Sequence, residues 1–345
     1  MGSQKKRSIG MKGLAALGQV SVSTVSRVFN APHLVRPATR DRVLRLAKEH
    51  DYVYNAAAAD LTRNKSRVIG LLFPSVRSPL FVEALEAIED RVRNTFYSMV
   101  IGSNKYEPAL EKRLLQQFME RRVAGIIMTG FSVGQEKVVE DIVKQGIPCV
   151  VIWEMPKSTK DVSFVGYDNY KLAVSAIDYL FQLKHRSVGM VLGRMNVLPR
   201  LKKRLQGYKD VLAKYGVPYN PDLVVQRRIP NYLEGKQAMN QLVSRPNPPT
   251  AVFFTSDEMA LGGISALRER GLNVPDDISI MGADNIEPCA YSHPPLTTVN
   301  IPAKEMGRLA IEILFEMIES GDHTPRHYEL ETNLIIRESC AGPTG

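Results

Sequence analysis

From Arg67 almost to its end, the chain alternates short β-rich apolar runs with amphipathic helical stretches, a rhythm that few folds accept. VIGLLFP, YSMVIGS, VAGIIMTG, IPCVVIWE and VSFVGYD are strand-like, with PLFVEALEAIEDRVRNT, EPALEKRLLQQFMERR and EKVVEDIVKQG helical between them. After Asp168 the rhythm restarts and runs through SVGMVLG, LVVQR, AVFFTS and ISIMGAD, again separated by helical stretches. The alternation predicts parallel, doubly wound sheets. Two α/β units in series predict two lobes, with a ligand cleft between them at the carboxyl ends of the strands. SHPPLTTVNIP reads as extended, AKEMGRLAIEILFEMIESG as a helix and YELETNLIIRES as a closing strand.

The first 67 residues have another texture. They hold thirteen Lys and Arg against four Asp and Glu, a balance of +9 that equals the net charge of all 345 residues. A small basic domain on a neutral body is the electrostatic footprint of polyanion binding. This segment also has apolar periodicity, which a solvated basic tail lacks. Met11, Leu14, Ala15 and Leu17 form one helical stripe, Gly18-Gln19 breaks it, and VSVSTVSRVFN resumes helical spacing. In that second run Val22, Val25, Val28 and Phe29 share an apolar face. Ser23, Ser26, Arg27 and Asn30 take the other, and Ser21 stands as N-cap. Pro37 opens a third helix whose Val43, Leu46 and Ala47 point inward. Helix, tight turn and helix predict a helix-turn-helix, with Arg27 able to grip guanine and Asn30 adenine or a phosphate. The plainer alternative is an ordinary surface helix; the basic surroundings favour the first reading. Asn55 to Asn64, NAAAADLTRN, buries too little to hold a helix alone, and reads as a segment ordered on its target or as a flexible linker.

Other classes lose ground on composition and motifs. No apolar run approaches the roughly 18 residues that a membrane span needs, and the basic N-terminus lacks the apolar stretch of a secretory signal. Cys149, Cys289 and Cys340 are scattered and read as free thiols, so a cytoplasmic protein is expected. GxGxxG, GxxxxGK[ST], GxSxG and HExxH are all missing, and no catalytic residue, cofactor or metal site is assigned. His185 reads as a structural cap or loop residue. Trp153 is either a core or a cleft aromatic.

By these residues the chain resembles the lactose-repressor family of bacterial transcription regulators. VSVSTVSRVFN, DYVYN, RVIGLLFP, KHRSVGMVLG, the R-x-x-G-Y of Arg204 to Tyr208, TSDEMALGGISAL, VPDDISIMGADN, PPLTTV and LIIRES follow in the family's order, nearly end to end. The resemblance implies an all-α helix-turn-helix headpiece (1–54), a hinge helix (55–66) and an α/β, periplasmic-binding-protein-like core (67–345). Lobe one would take about 67–167 and 299–326, and lobe two about 168–298 and 327–342, with crossings near Asp168, Thr298 and His327. It places Val22 and Ser23 as the specificity pair behind Ser21, Arg27 on a base, and Thr24, Ser26 and Asn30 near phosphates. Asn55, Ala58 and Leu61 fall on hinge positions, where the family wedges a leucine from each subunit into the minor groove. Gln19 stands where the family's turn usually has glycine, Gly13 where aspartate is usual, Tyr54 where proline precedes Asn55, and Asp60 near the phosphates.

For the cleft, the resemblance implies effector contacts at Ser78, Phe81, Asp168, Arg204, Ser256 and Asp284. Plainer alternatives are a turn cap for Asp284, core for Phe81 and surface charge for Arg204. Arg194, Arg200, Lys202, Lys203, Arg227 and Arg228 lean toward an acidic effector such as a sugar acid or phosphosugar, a surface cluster being the alternative. The expected protein is a homodimer that binds double-stranded operator DNA and a small-molecule effector, a sugar or sugar acid. CAGPTG adds no heptad extension after LIIRES, which argues against a tetramer of dimers. The alternatives are a solute-binding protein and an α/β enzyme with a helical appendage.

Overall fold

The computed structural model describes residues 9–55, 66–130, 132–155 and 162–343, so Ala58, Asp60 and Leu61 lie outside the described residues. The chain divides into two compact units, 1–67 and 68–345. In the first, α1 (Met11–Leu17), α2 (Val22–Asn30) and α3 (Pro37–Glu49) enclose Leu14, Ala15, Val25, Val28, Val43 and Ala47. Leu46 packs against this cluster from its edge. Leu17 and Val22, both expected on apolar faces, are instead exposed. The α1–α2 turn closes through backbone bonds from Gly18 to Leu14, Gln19 to Ala16 and Val20 to Ala15. It holds Gln19 at φ 48°. That left-handed conformation costs a residue with a Cβ about 1–2 kcal/mol, which is why glycine is the usual occupant.

The second unit contains both predicted lobes. Lobe one runs β1 (Val68–Phe73), α4 (Pro79–Val92), β2 (Ser98–Ser103), α5 (Pro108–Glu120), β3 (Gly125–Thr129), α6 (Glu136–Lys144), β4 (Cys149–Ile152) and β5 (Ser163–Gly166). Lobe two runs α7 (Asn169–Gln182), β6 (Val188–Leu192), α8 (Pro199–Lys214), β7 (Val224–Gln226), α9 (Tyr232–Val243), β8 (Ala251–Phe254), α10 (Asp257–Glu269) and β9 (Ser279–Asp284). A short α11 (Pro288–Tyr291) and β10 (Thr297–Asn300) complete it. Then α12 (Ala303–Ser320) returns to lobe one and packs on α4 and on β3 to β5. β3, β4, β5, β6, β8 and β9 are buried along their whole length. Strands apolar on both faces need cover on both, and the crossover helices supply it.

The C-terminal stretch YELETNLIIRES departs from the expected single strand. It holds β11 (His327–Glu329) and β12 (Asn333–Ile335), which belong to different sheets. Lobe one's sheet has the order β11-β5-β4-β3-β1-β2, with β11 parallel to β5. Lobe two's has the order β12-β10-β9-β8-β6-β7, with β12 antiparallel to β10. Two expected crossings therefore move. The second follows Asn300, because the whole of β10 pairs with β9, and the third lies between Glu329 and Asn333. Lobe two accordingly does not begin its last segment at His327. No described helix is long and apolar enough to cross a membrane.

Helices α9 and α10 meet at two glycines. A Cβ at Gly235 would stand 2.0 Å from the Met259 carbonyl oxygen, and one at Gly262 would stand 2.0 Å from that of Tyr232. Backbone cannot yield as a flexible side chain can. Gly262→Ala should force the helices apart and destabilise the second unit by roughly 1–3 kcal/mol, read as a lowered guanidinium midpoint in the full chain.

Candidate functional site

Two surfaces gather the predicted residues. On the helical head, Ser21 caps α2: its Oγ accepts from the Thr24 backbone N–H at 3.1 Å and lies 2.7 Å from Ser23 Oγ. The cap fixes the helix start, where the dipole favours a negative partner. Ser21, Val22, Ser23 and Arg27 are exposed on one surface of α2, and Thr24 and Ser26 are half-buried beside them. Among the described residues no partner holds the Arg27 side chain.

Asn30 is a correction. Its side chain is 5% exposed and fully engaged: Nδ2 donates to Ser26 O (2.8 Å) and to Tyr54 Oη, while Oδ1 accepts from Arg67 at 2.7 Å. Tyr54 also stacks on Phe29 with ring centroids 5.0 Å apart. Tyr54 thus anchors the end of α2, and Asn30 is turned into the head and not onto the outward face where it was expected. Asn55 lies at the end of the described head, just past Tyr54.

In the second unit, a cavity of about 660 Å³, open mouth included, lies between the lobes. Ser78, Phe81, Arg204, Ser256 and Asp284 line it, as the resemblance implied. Asp168 does not. Its carboxylate caps α7 instead, accepting from the backbone N–H of Tyr170 (2.8 Å) and Lys171 (3.3 Å). Its neighbour Tyr167 faces the cavity in its place, because successive residues of an extended segment point to opposite sides.

Sequence reasoning also missed Tyr106 and Thr255 and left Trp153 undecided; all three line the cavity. A signal was available. Trp153, Tyr167 and Thr255 each lie near the carboxyl end of a strand-like run, the place where ligands bind in open α/β sheets. Trp153 is buried, lies edge-on to Phe81 at 5.2 Å, and sits at φ 72°. Asp284, last in β9, sits at φ 137°. Strained backbone of this kind gathers where a site must be held in place.

Charge is arranged with care here. Arg204, 4% exposed, donates from Nε to Asn169 Oδ1, from Nη1 to the Thr255 carbonyl and from Nη2 to Tyr167 Oη, all at 2.8 Å. It is neither surface charge nor free fork. Arg200 pairs with Glu154 at 3.3 Å, both nearly buried. Burial raises the Glu154 carboxyl, and the two nearby cations, Arg200 and Lys203, pull it back. Burial, followed by the charge of Asp257, pushes Asp284 well above the usual carboxylate range, against the pull of Arg204. His185 is structural as expected: buried between Thr250, Ser279 and the Ala341 carbonyl, its pKa is lowered by burial.

Comparison with known proteins gives the family. The pattern of the bacterial regulatory proteins of the lacI family matches residues 10–55, and that of a periplasmic-binding-protein-like domain matches residues 177–340. The repressor CytR of Escherichia coli (strain K12) is 33% identical over 330 residues, 95% of each chain. The chain belongs to the lacI family. As a member it is a DNA-binding transcriptional regulator, and the main reading of the sequence stands over a transport protein or an enzyme with a helical appendage. The ribose operon repressor of Haemophilus influenzae is 32% identical over 336 residues, covering 95% of this chain and 98% of its own. A solved complex of the transcriptional regulator CelR with cellobiose superposes with a TM-score of 0.71 at 27% identity, covering 96% of this chain and 99% of the other.

The raised pKa of Asp284 has a sign that can be checked. As pH falls from neutral, the native state takes up a proton at this carboxyl before the unfolded chain does, so its penalty on folding shrinks with acid. Asp284→Asn should therefore stabilise the full chain at pH 7, and this gain should fade as pH drops toward the unfolded carboxylate range near about 4. Guanidinium unfolding at the two pH values measures it.

Proposed function

We propose that this family member is a homodimeric repressor whose operator affinity is set by a small molecule held between its lobes. Each head, residues 1–54, reads one half of a near-palindromic site, with Ser21, Val22 and Ser23 at the groove and Arg27 on a base. Residues 55–66 form the hinge. Asn55 and Ala58 lie along the DNA there, and a Leu61 from each subunit wedges the central step; the order this costs is recovered only when two copies pair on DNA. Residues 67–345 bind the effector and dimerise. The exposed, capped face of α2 in a strongly basic head is the observation that carries the DNA half of this reading.

A dimer is supported by apolar side chains left exposed on both lobes: Phe96 and Ile101 at the edge strand β2, and Tyr232, Leu233 and Tyr291 on lobe two. A repressor of this kind works in the cytoplasm and binds its effector without converting it. Effectors of the sugar or sugar-acid class suit a cavity with aromatic walls and several arginines. Binding stabilises one arrangement of the lobes over another, and that difference is passed on as operator affinity.

Arg27→Ala should cost roughly 1–3 kcal/mol of specific binding and relax preference at one base pair per half-site. Operators selected from random duplexes, then compared by gel shift at fixed salt, give the measurement. Unchanged affinity would remove Arg27 from the groove.

A further inference from the structure

We infer that the effector is an anion, a carboxylate or phosphate on a hydroxylated carbon skeleton, whose charged group docks on Arg194. The inference rests on the proposed function and names the ligand class of the same cavity. Four arginines line this cavity, Arg194, Arg200, Arg204 and Arg228, against one carboxyl, Asp284. Two of the four are already neutralised: Arg200 by Glu154 at 3.3 Å, and Arg228 by Glu107 at 3.5 Å. Arg204 is held by three neutral oxygens, so its charge has no ion-pair partner beyond the influence of Asp284. Arg194 is left over. It sits in the loop between β6 and α8, half-buried on the cavity wall, and among the described residues its side chain has neither hydrogen bond nor ion pair. Two uncompensated cations against one carboxyl leave the cavity positive however Asp284 titrates.

A second, independent observation points to a ligand. Trp153 is 2% exposed, lines the cavity, and its Nε1–H is buried without an acceptor among the described residues. A buried donor left unmade costs about 1–3 kcal/mol, so such orphans call for a partner. An oxygen of the bound molecule supplies it, while the faces of Phe81, Trp153 and Tyr167 cover the carbon skeleton. An anion answers both needs, since a guanidinium fork fits a carboxylate or phosphate through two parallel bonds.

Trp153 is the sole tryptophan of the chain, so its fluorescence reports directly on this cavity. The test titrates the full chain with gluconate, galacturonate, glucose 6-phosphate and inorganic phosphate, and with glucose and galactose as neutral parents. Emission is read against ligand at constant ionic strength. The expected result is saturable change with at least one of the anions, about tenfold or more tighter than with its neutral parent. Arg194→Met should erase that preference, Arg194→Lys should retain part of it, and far-UV circular dichroism should stay unchanged in both. Phosphate alone distinguishes a phosphate site from a carboxylate site. Equal binding of acids and neutral parents, or a preference unaltered in Arg194→Met, would overturn the anion assignment while leaving ligand control intact. Silence from all six probes at about 10 mM would overturn it as well. If instead a probe bound but left the affinity for a selected operator unchanged, ligand control itself would fail and the anion site would stand.

Discussion

Arg204 bonds through each of its three guanidinium nitrogens, to Asn169, Thr255 and Tyr167, and the geometry of the cleft follows from that fork. Tyr167 and Asn169 flank the first passage of the chain between lobes, while Thr255 directly follows the central strand β8 of lobe two. Each bond to a buried guanidinium offsets part of the cost of taking its charge out of water, so these three groups are held in one arrangement. Around that fixed floor the rest of the wall can vary. Side chains from the ends of β1, β4, β5, β6, β8 and β9 reach the same space, each brought there by the parallel architecture. Contacts between lobes, Arg200 to Glu154 and Arg228 to Glu107, span the cleft and differ in weight. The exposed pair contributes little, whereas breaking the buried one would strand a charge.

The head solves a different problem with the same economy. Three short helices bury only a handful of apolar side chains, so polar ties carry part of the order. Asn30 is the main tie, bridging the end of α2 to Tyr54 and to Arg67. With Asn30 turned inward, the outward surface of α2 is left to hydroxyls, Val22 and Arg27. That division, amide inside and guanidinium outside, separates residues that stood together on one helical face.

Much of this was legible from the residues. Hydrophobic period marked nearly every strand and helix, because buried parallel strands are apolar throughout and their helices only along one stripe. Charge located the head. Where reading failed, the cause was long-range. Nothing local in YELETNLIIRES says that three residues join one sheet and three the other, since the pairing partners are distant in sequence. Asp168 and Tyr167 are adjacent, and only the observed capping of α7 decides which one faces the cavity. Asn30 satisfied the helical pattern of an outward residue, and its burial depends on Tyr54 and Arg67 folding back over it. Val22 failed in the other direction, an apolar residue of the expected inner stripe that stands 41% exposed.

The central claim is that the cavity and the DNA-binding face are two sites of one equilibrium. It is tested most directly by measuring, in the same full-length protein, ligand affinity from Trp153 fluorescence with and without operator, and operator affinity with and without that ligand. Linkage requires the two ratios to agree, whatever the sign of the effect. The account predicts one common factor of about 5–150. Two affinities that do not respond to each other would contradict it.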